Sequence, residues 1–214
     1  MGFVIQKLLP SLKPGQRLGL TGSDTTLHSR QGAWDGSCAL HCAAMALATL
    51  GLLNSPSQLA CYADGPEAEF WNLAWPYYMH GITISELTGL LAELRWNLRT
   101  ITAEGSHETV TRFCERELAL GWPVIVSWRQ QDVPLYHAAL AVGLEGKTCG
   151  HRFEPDTMLL LDPDEAELRL MTHNARLACR PLDLPDQAHY VTAYNRRTVV
   201  LDSALAIRPG TRKT

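Results

Sequence analysis

Residues 121–144, GWPVIVSWRQQDVPLYHAALAVGL, decide the reading of the fold. Two apolar runs, Pro123–Trp128 and Tyr136–Leu144, lie either side of a polar break that contains Pro134. The first is rich in β-branched residues and opens after Gly121, so both runs read as adjacent buried strands. Downstream the strand texture continues, at Met158–Leu161, Leu168–Met171, His189–Tyr194 and Thr198–Ala206.

Upstream of Gly121 the period changes. Leu40, Ala43, Ala44, Leu47 and Leu50 recur at helical spacing and Gly51 offers a stop, which predicts a buried helix over 38–50. Asp35-Gly36-Ser37 supplies a turn and an N-cap before it. Further helices are expected over 55–62, over 85–96 (Leu87, Leu90, Leu91 and Leu94 inward) and over 106–120 (Val110, Phe113, Cys114 and Leu118 inward). The first 30 residues, with Pro10, Pro14, Gly15, Gly19 and Gly22, read as a loop-rich N-terminal extension. Helices precede strands, so the expected fold class is α+β: a helical half packed against a mostly antiparallel sheet, in one domain spanning 1–214.

Composition narrows the function classes. A net charge of −3 with 19% charged residues gives no electrostatic footprint for nucleic acid or a membrane surface. The one basic cluster, Arg208 to Lys213, reads as a solvated tail. No run of 18 uncharged apolar residues exists, and the N-terminus lacks the pattern of a signal peptide or of a myristoylation site, with Gln6 where Ser or Thr is preferred. The expected location is cytoplasmic, or secreted without a classical signal peptide. Six cysteines (38, 42, 61, 114, 149 and 179) show no CxxC pairing, so neither a metal site nor a disulfide framework is expected, and no cofactor is called for.

One of those cysteines stands apart. Cys38 falls where a helix begins, behind a Gly-Ser turn that leaves backbone N–H groups facing outward. A helix N-terminus and a neighbouring imidazolium both favour the thiolate, and the same amides can receive an oxyanion. His137, at the start of an apolar strand, is the expected base. Asp162, at the end of the next strand in TMLLLDPDEA, is the expected carboxylate that orients it. A rival pair has the same layout: His189 opens AHYVTAYN, and Asp202 ends the strand RTVVLDS 13 residues later. His41 and Cys42 lie one turn into the helix, where packing explains them.

These patterns resemble the bacterial double-glycine leader peptidases, the papain-like group known from the N-terminal domains of bacteriocin-exporting transporters. Cys38 is followed by Ala44-Met45 and by Gly51, 13 positions on; GWPVIVSW, YHAALAVGLEG and MLLLDPDEA resemble the strands that carry the histidine and the Asp-Pro pair; ITISELTGLLAELRW resembles the intervening helix. The resemblance spans roughly residues 31–165. It implies a papain-like fold and a stand-alone cysteine peptidase cutting a protein or peptide in a glycine-rich segment, with cleavage after a double glycine as the family's manner. It also implies a glutamine in the oxyanion hole, for which Gln31 is the candidate. Gln31 lies seven residues before Cys38 where the family has six, Ser37 replaces an acidic residue, and the 25-residue His137–Asp162 spacing implies an insertion over 146–156. DGSC also resembles the cysteine motif of ovarian-tumour-type deubiquitinases, although the aromatic residue expected after the cysteine is missing.

With no transmembrane segment and no GxxxxGK[ST] loop, the chain would act as a processing protease or as a delivered interbacterial toxin, the latter requiring an inhibitory immunity protein. Two alternatives remain open at this point. Transglutaminases, deamidases and acyltransferases use the same Cys-His-Asp order through a thioester, and an inactive binding module could retain the residues.

Overall fold

A computed structural model of the chain describes residues 3–23, 25–33, 35–130, 135–150, 152–167, 169–181 and 186–210, without the side chain of Cys149. In chain order the elements are β1 (Phe3–Leu8), β2 (Leu12–Lys13), β3 (Gly19–Leu20), α1 (Cys38–Thr49), α2 (Gly65–Ala74), α3 (Ile84–Glu93), β4 (Leu98–Glu104) and α4 (His107–Ala119). Then come β5 (Val124–Gln130), β6 (Tyr136–Cys149), β7 (Arg152–Leu161), β8 (Ala175–Ala178), β9 (Ala188–Thr192) and β10 (Arg196–Pro209).

The expected architecture, a papain-like helical half packed on an open sheet, is not what forms. The dominant sheet has eight strands, all paired antiparallel, and six of them close on themselves in the order β6-β5-β10-β9-β8-β7 and back to β6. Among the described residues four short α-helices decorate this barrel. Closure comes from two 14-residue strands that change partners along their length. β6 lies between β5 and β7 in its first half, then between β7 and β1; β10 lies between β9 and β5, then between β5 and β4. Register shifts at Leu201/Ser203 and Ala141/Gly143 bend them, as barrel strands require.

Burial explains the unbroken apolar runs. Val124 to Trp128 and Ala138 to Leu144 are buried at every position, because the two faces of these strands meet the barrel core and the flanking helices α1 and α4. The first 30 residues, read as loop, instead carry β1, which pairs with Gly143–Thr148 of β6, and the small β2–β3 hairpin. The insertion expected over 146–156 is the tip of the long β6–β7 hairpin, where Thr148 pairs with Phe153; His151 lies outside the described residues. No helix fills 55–62: only a single 3-10 turn forms at Leu59–Cys61, and the helix follows at Gly65–Ala74, with Pro66 in its first turn. No strand forms at 169–171, and Leu168 lies outside the described residues.

Among the described residues no helix is long and apolar enough to cross a membrane. The C-terminal basic cluster is also not all solvated tail. Arg208, in β10, pairs with the fully buried Glu117 of α4, while residues 211–214 are outside the described set.

Candidate active site

The nucleophile candidate opens α1 as expected. The first intrahelical bond runs from the His41 N–H to the Ser37 carbonyl at 3.0 Å, so the N–H groups of Cys38, Ala39 and Leu40 have no partner within the helix. Ser37 occupies the N-cap position but does not cap: its hydroxyl turns away and donates to Asp35. The turn is braced by the segment after α2. The Gly36 N–H donates to the Tyr78 carbonyl at 3.2 Å, and a Cβ on Gly36 would meet the Gly81 backbone nitrogen at 2.8 Å. Only glycine fits there. Beyond it, Trp71 meets the Tyr78 ring edge to face, Trp75 stacks on Tyr78 and is largely exposed, and Tyr78 meets the His41 ring at 6.2 Å.

The fold brings His137 and Asp162 to this helix end. His137 is the second residue of β6 and pairs in register with Trp128 of β5, whose ring meets the imidazole edge to face at 5.2 Å. The β6–β7 register pairs Leu140 with Leu161, so one step further places Asp162 opposite Ala139 and diagonal to His137 on the same face. The imidazole Nε2 donates to Asp162 Oδ1 at 2.8 Å, and the Cys38 side chain lies near enough to act on the charge of the ring. With Nε2 taken, Nδ1 is the nitrogen left for the thiol.

The electrostatics follow from this geometry. Burial by itself would drive the His137 pKa down. The hydrogen bond to Asp162, the interaction with the Cys38 side chain and the charge of both outweigh it, raising the pKa to about 10. Asp162 is fully buried. Desolvation pushes its pKa up, but donors from His137, the Tyr190 hydroxyl and the Asp164 N–H win, and the net shift is downward. Thus an imidazolium faces Cys38 at neutral pH. Among the other described cysteines, burial raises Cys42 and Cys114 well above the ordinary thiol value and takes Cys179 to about 12, and Cys61 is exposed.

Gln31 lies near the same end of the molecule. Its N–H donates to the Pro163 carbonyl at 3.0 Å, next to Asp162, and its buried Oε1 has no hydrogen-bond partner among the described residues. His41, by contrast, is tied into the framework. Its Nδ1 donates to Ser29 Oγ at 2.7 Å while Ser29 donates to the Pro56 carbonyl, and burial lowers the His41 pKa to about 4.

The rival pair is placed elsewhere. His189, on β9, lies opposite Ala178 and Thr198, and the Asp202 carboxylate accepts from the neighbouring Ser203 hydroxyl. The residue of that strand which reaches the site is Tyr190, which the sequence reading passed over. The period of two was the available signal, since 190 must face opposite to 189. Asn174 was passed over too. Its carboxamide bonds both backbone groups of Asp162, and nothing in ARLA and its flanks marks that. Among the described residues no group of three or more His, Cys, Asp or Glu side chains could hold a metal ion.

No family model matches the chain, and no curated protein matches it.

Proposed function

We propose that the chain is a cysteine peptidase with Cys38 as nucleophile. One observation carries the reading: His137, whose ring is held to the buried Asp162 at 2.8 Å, lies close enough to the Cys38 side chain at the start of α1 for that side chain to raise its pKa. That is the nucleophile–base–orienter sequence of a thiol acyl-transfer site.

In the first half-reaction the Cys38 sulfur attacks the scissile carbonyl carbon, and negative charge moves to the carbonyl oxygen. The unpartnered N–H groups of the first turn of α1, with the Gln31 side chain, are the donors available to it. The carbon–nitrogen bond breaks as the His137 imidazolium protonates the departing amine, leaving a thioester. Water then attacks the thioester carbon and gives a proton to His137, and the carbon–sulfur bond breaks, its electron pair going to the Cys38 sulfur as the acid leaves. Asp162 keeps the ring oriented throughout.

The local resemblance to double-glycine leader peptidases puts glycine-rich peptide segments first among substrates. Mass spectrometry of glycine-rich peptides incubated with wild type and with Cys38→Ala tests the reading. New termini are expected with wild type alone. Release of ammonia with the chain intact would replace peptidase by deamidase or transglutaminase, and cleavage by Cys38→Ala would overturn the assignment.

A further inference from the structure

The carboxylate that orients His137 is itself held from two sides. Asp162 stands just past the end of β7, where the ladder to β8 has stopped at Leu160–Ala175. The Asn174 side chain takes over as a strand partner there. Its Oδ1 accepts from the Asp162 N–H at 2.7 Å and its Nδ2 donates to the Asp162 carbonyl at 2.8 Å, the double bond of an antiparallel pair made by one carboxamide. With the backbone fixed, the χ1 and χ2 torsions decide where the two carboxylate oxygens point. Oδ1 faces His137 and the Asp164 N–H, and Oδ2 accepts from the Tyr190 hydroxyl at 2.6 Å. Tyr190 is buried, and its ring packs on Trp128 at 5.1 Å, the same indole that meets His137.

Resting on the reading of the site given above, we propose that Tyr190 is a positioning residue that locks the Asp162 carboxylate in its ionised, His137-facing rotamer, with Asn174 fixing the backbone beneath it. The hydroxyl supplies the donor for Oδ2, which otherwise would be a buried charged oxygen without one. Burial and the Asp162 charge hold the phenol far above its ordinary pKa, so it stays a donor over the whole working range.

The ionisable surroundings of Asp162 are few. From α1 come Cys38 and Cys42, from β6 His137, from β9 Tyr190; His28 donates to the Asp162 carbonyl at 3.0 Å, and Asp164 and Glu165 follow in the chain. The hydroxyl of Tyr190 and the imidazolium of His137 are the two side-chain donors to the carboxylate. Removing the first makes Asp162 easier to protonate, and a protonated Asp162 no longer supports the imidazolium that faces Cys38.

The test is the pH profile of Cys38 alkylation by iodoacetamide, which needs no substrate. Tyr190→Phe, which keeps the ring on Trp128, should move the acid limb of that profile upward by about one pH unit. A ring-fluorinated tyrosine placed at 190, a stronger donor, should move it the other way and serves if Tyr190→Phe does not fold. In an Asp162→Asn background Tyr190→Phe should have no further effect. An acid limb unmoved by either change, or a shift that persists without the Asp162 carboxylate, overturns the inference. If wild-type Cys38 shows no advantage over Cys61 near pH 6, the reading of the site itself falls, and the inference with it.

Discussion

His137 presents Nε2 to Asp162 Oδ1 at 2.8 Å, which leaves Nδ1 for the Cys38 thiol. In the serine-protease template the two nitrogens are used the other way round. The difference follows from placement. The carboxylate comes from the strand next to the histidine and the nucleophile from a helix end, so the ring bridges an antiparallel strand pair and α1.

Gln31 and Asp162 should fail in different ways. If Gln31 donates to the oxyanion, Gln31→Ala lowers turnover of a cleaved peptide by roughly 10²- to 10³-fold with KM nearly unchanged. Its alkylation rate at Cys38 should stay at the wild-type value, because alkylation forms no oxyanion. Asp162→Asn should depress both turnover and alkylation. Wild-type turnover in Gln31→Ala would remove that side chain from the oxyanion hole.

Stability should have a pH optimum set by the histidines. The His137 pKa is raised from 6.5 to about 10 in the folded chain, so its contribution is complete below about pH 6.5 and is lost as pH rises through 10. His41, lowered to about 4, acts oppositely: the unfolded chain takes up its proton first, and stability drains away as pH falls from 6.5 towards 4. Asp162, depressed below 3.8, adds a further loss below that value. Urea unfolding across the range should show His137→Ala flattening the alkaline limb and His41→Gln flattening the acid one. A His137→Ala variant with an unchanged alkaline limb would contradict the assigned shift.

Arg208 ties β10 to α4 through the buried Glu117, which Arg116 also contacts at 3.1 Å. Arg208→Ala should cost about 1.5–3 kcal/mol in urea unfolding, since a buried carboxylate loses a charged donor. Glu117→Gln in the same chain should recover part of that loss. A change within error would mean that Arg116 alone satisfies the carboxylate.

Most of what faces Cys38 could be read from the sequence, and the barrel could not. The helix expected over 38–50 is observed as Cys38–Thr49, because an Ala-rich run with apolar residues all round has only one way to be buried. The strands bearing His137 and Asp162 were legible for the same reason, as runs buried on both faces. Closure depends on partners far apart in the chain and on register shifts within β6 and β10, for which a single sequence carries no local mark. One of the strands that complete it is a weak signal: β8 is four residues, ARLA. The helix at Gly65–Ala74 was missed because a polar, aromatic-rich stretch hides its period, although Pro66 marked its start. Tyr190 and Asn174 were missed because their partners are set by that same closure.

The central claim is that His137 makes Cys38 the reactive thiol of this chain, and limiting iodoacetamide near pH 6 with peptide mapping tests it most directly. Wild type should be labelled first at Cys38, ahead of the exposed Cys61, and His137→Ala should lose that preference while His189→Ala keeps it. Preferential labelling of Cys42 or Cys149, or a Cys38 rate unchanged by His137→Ala, would contradict the account.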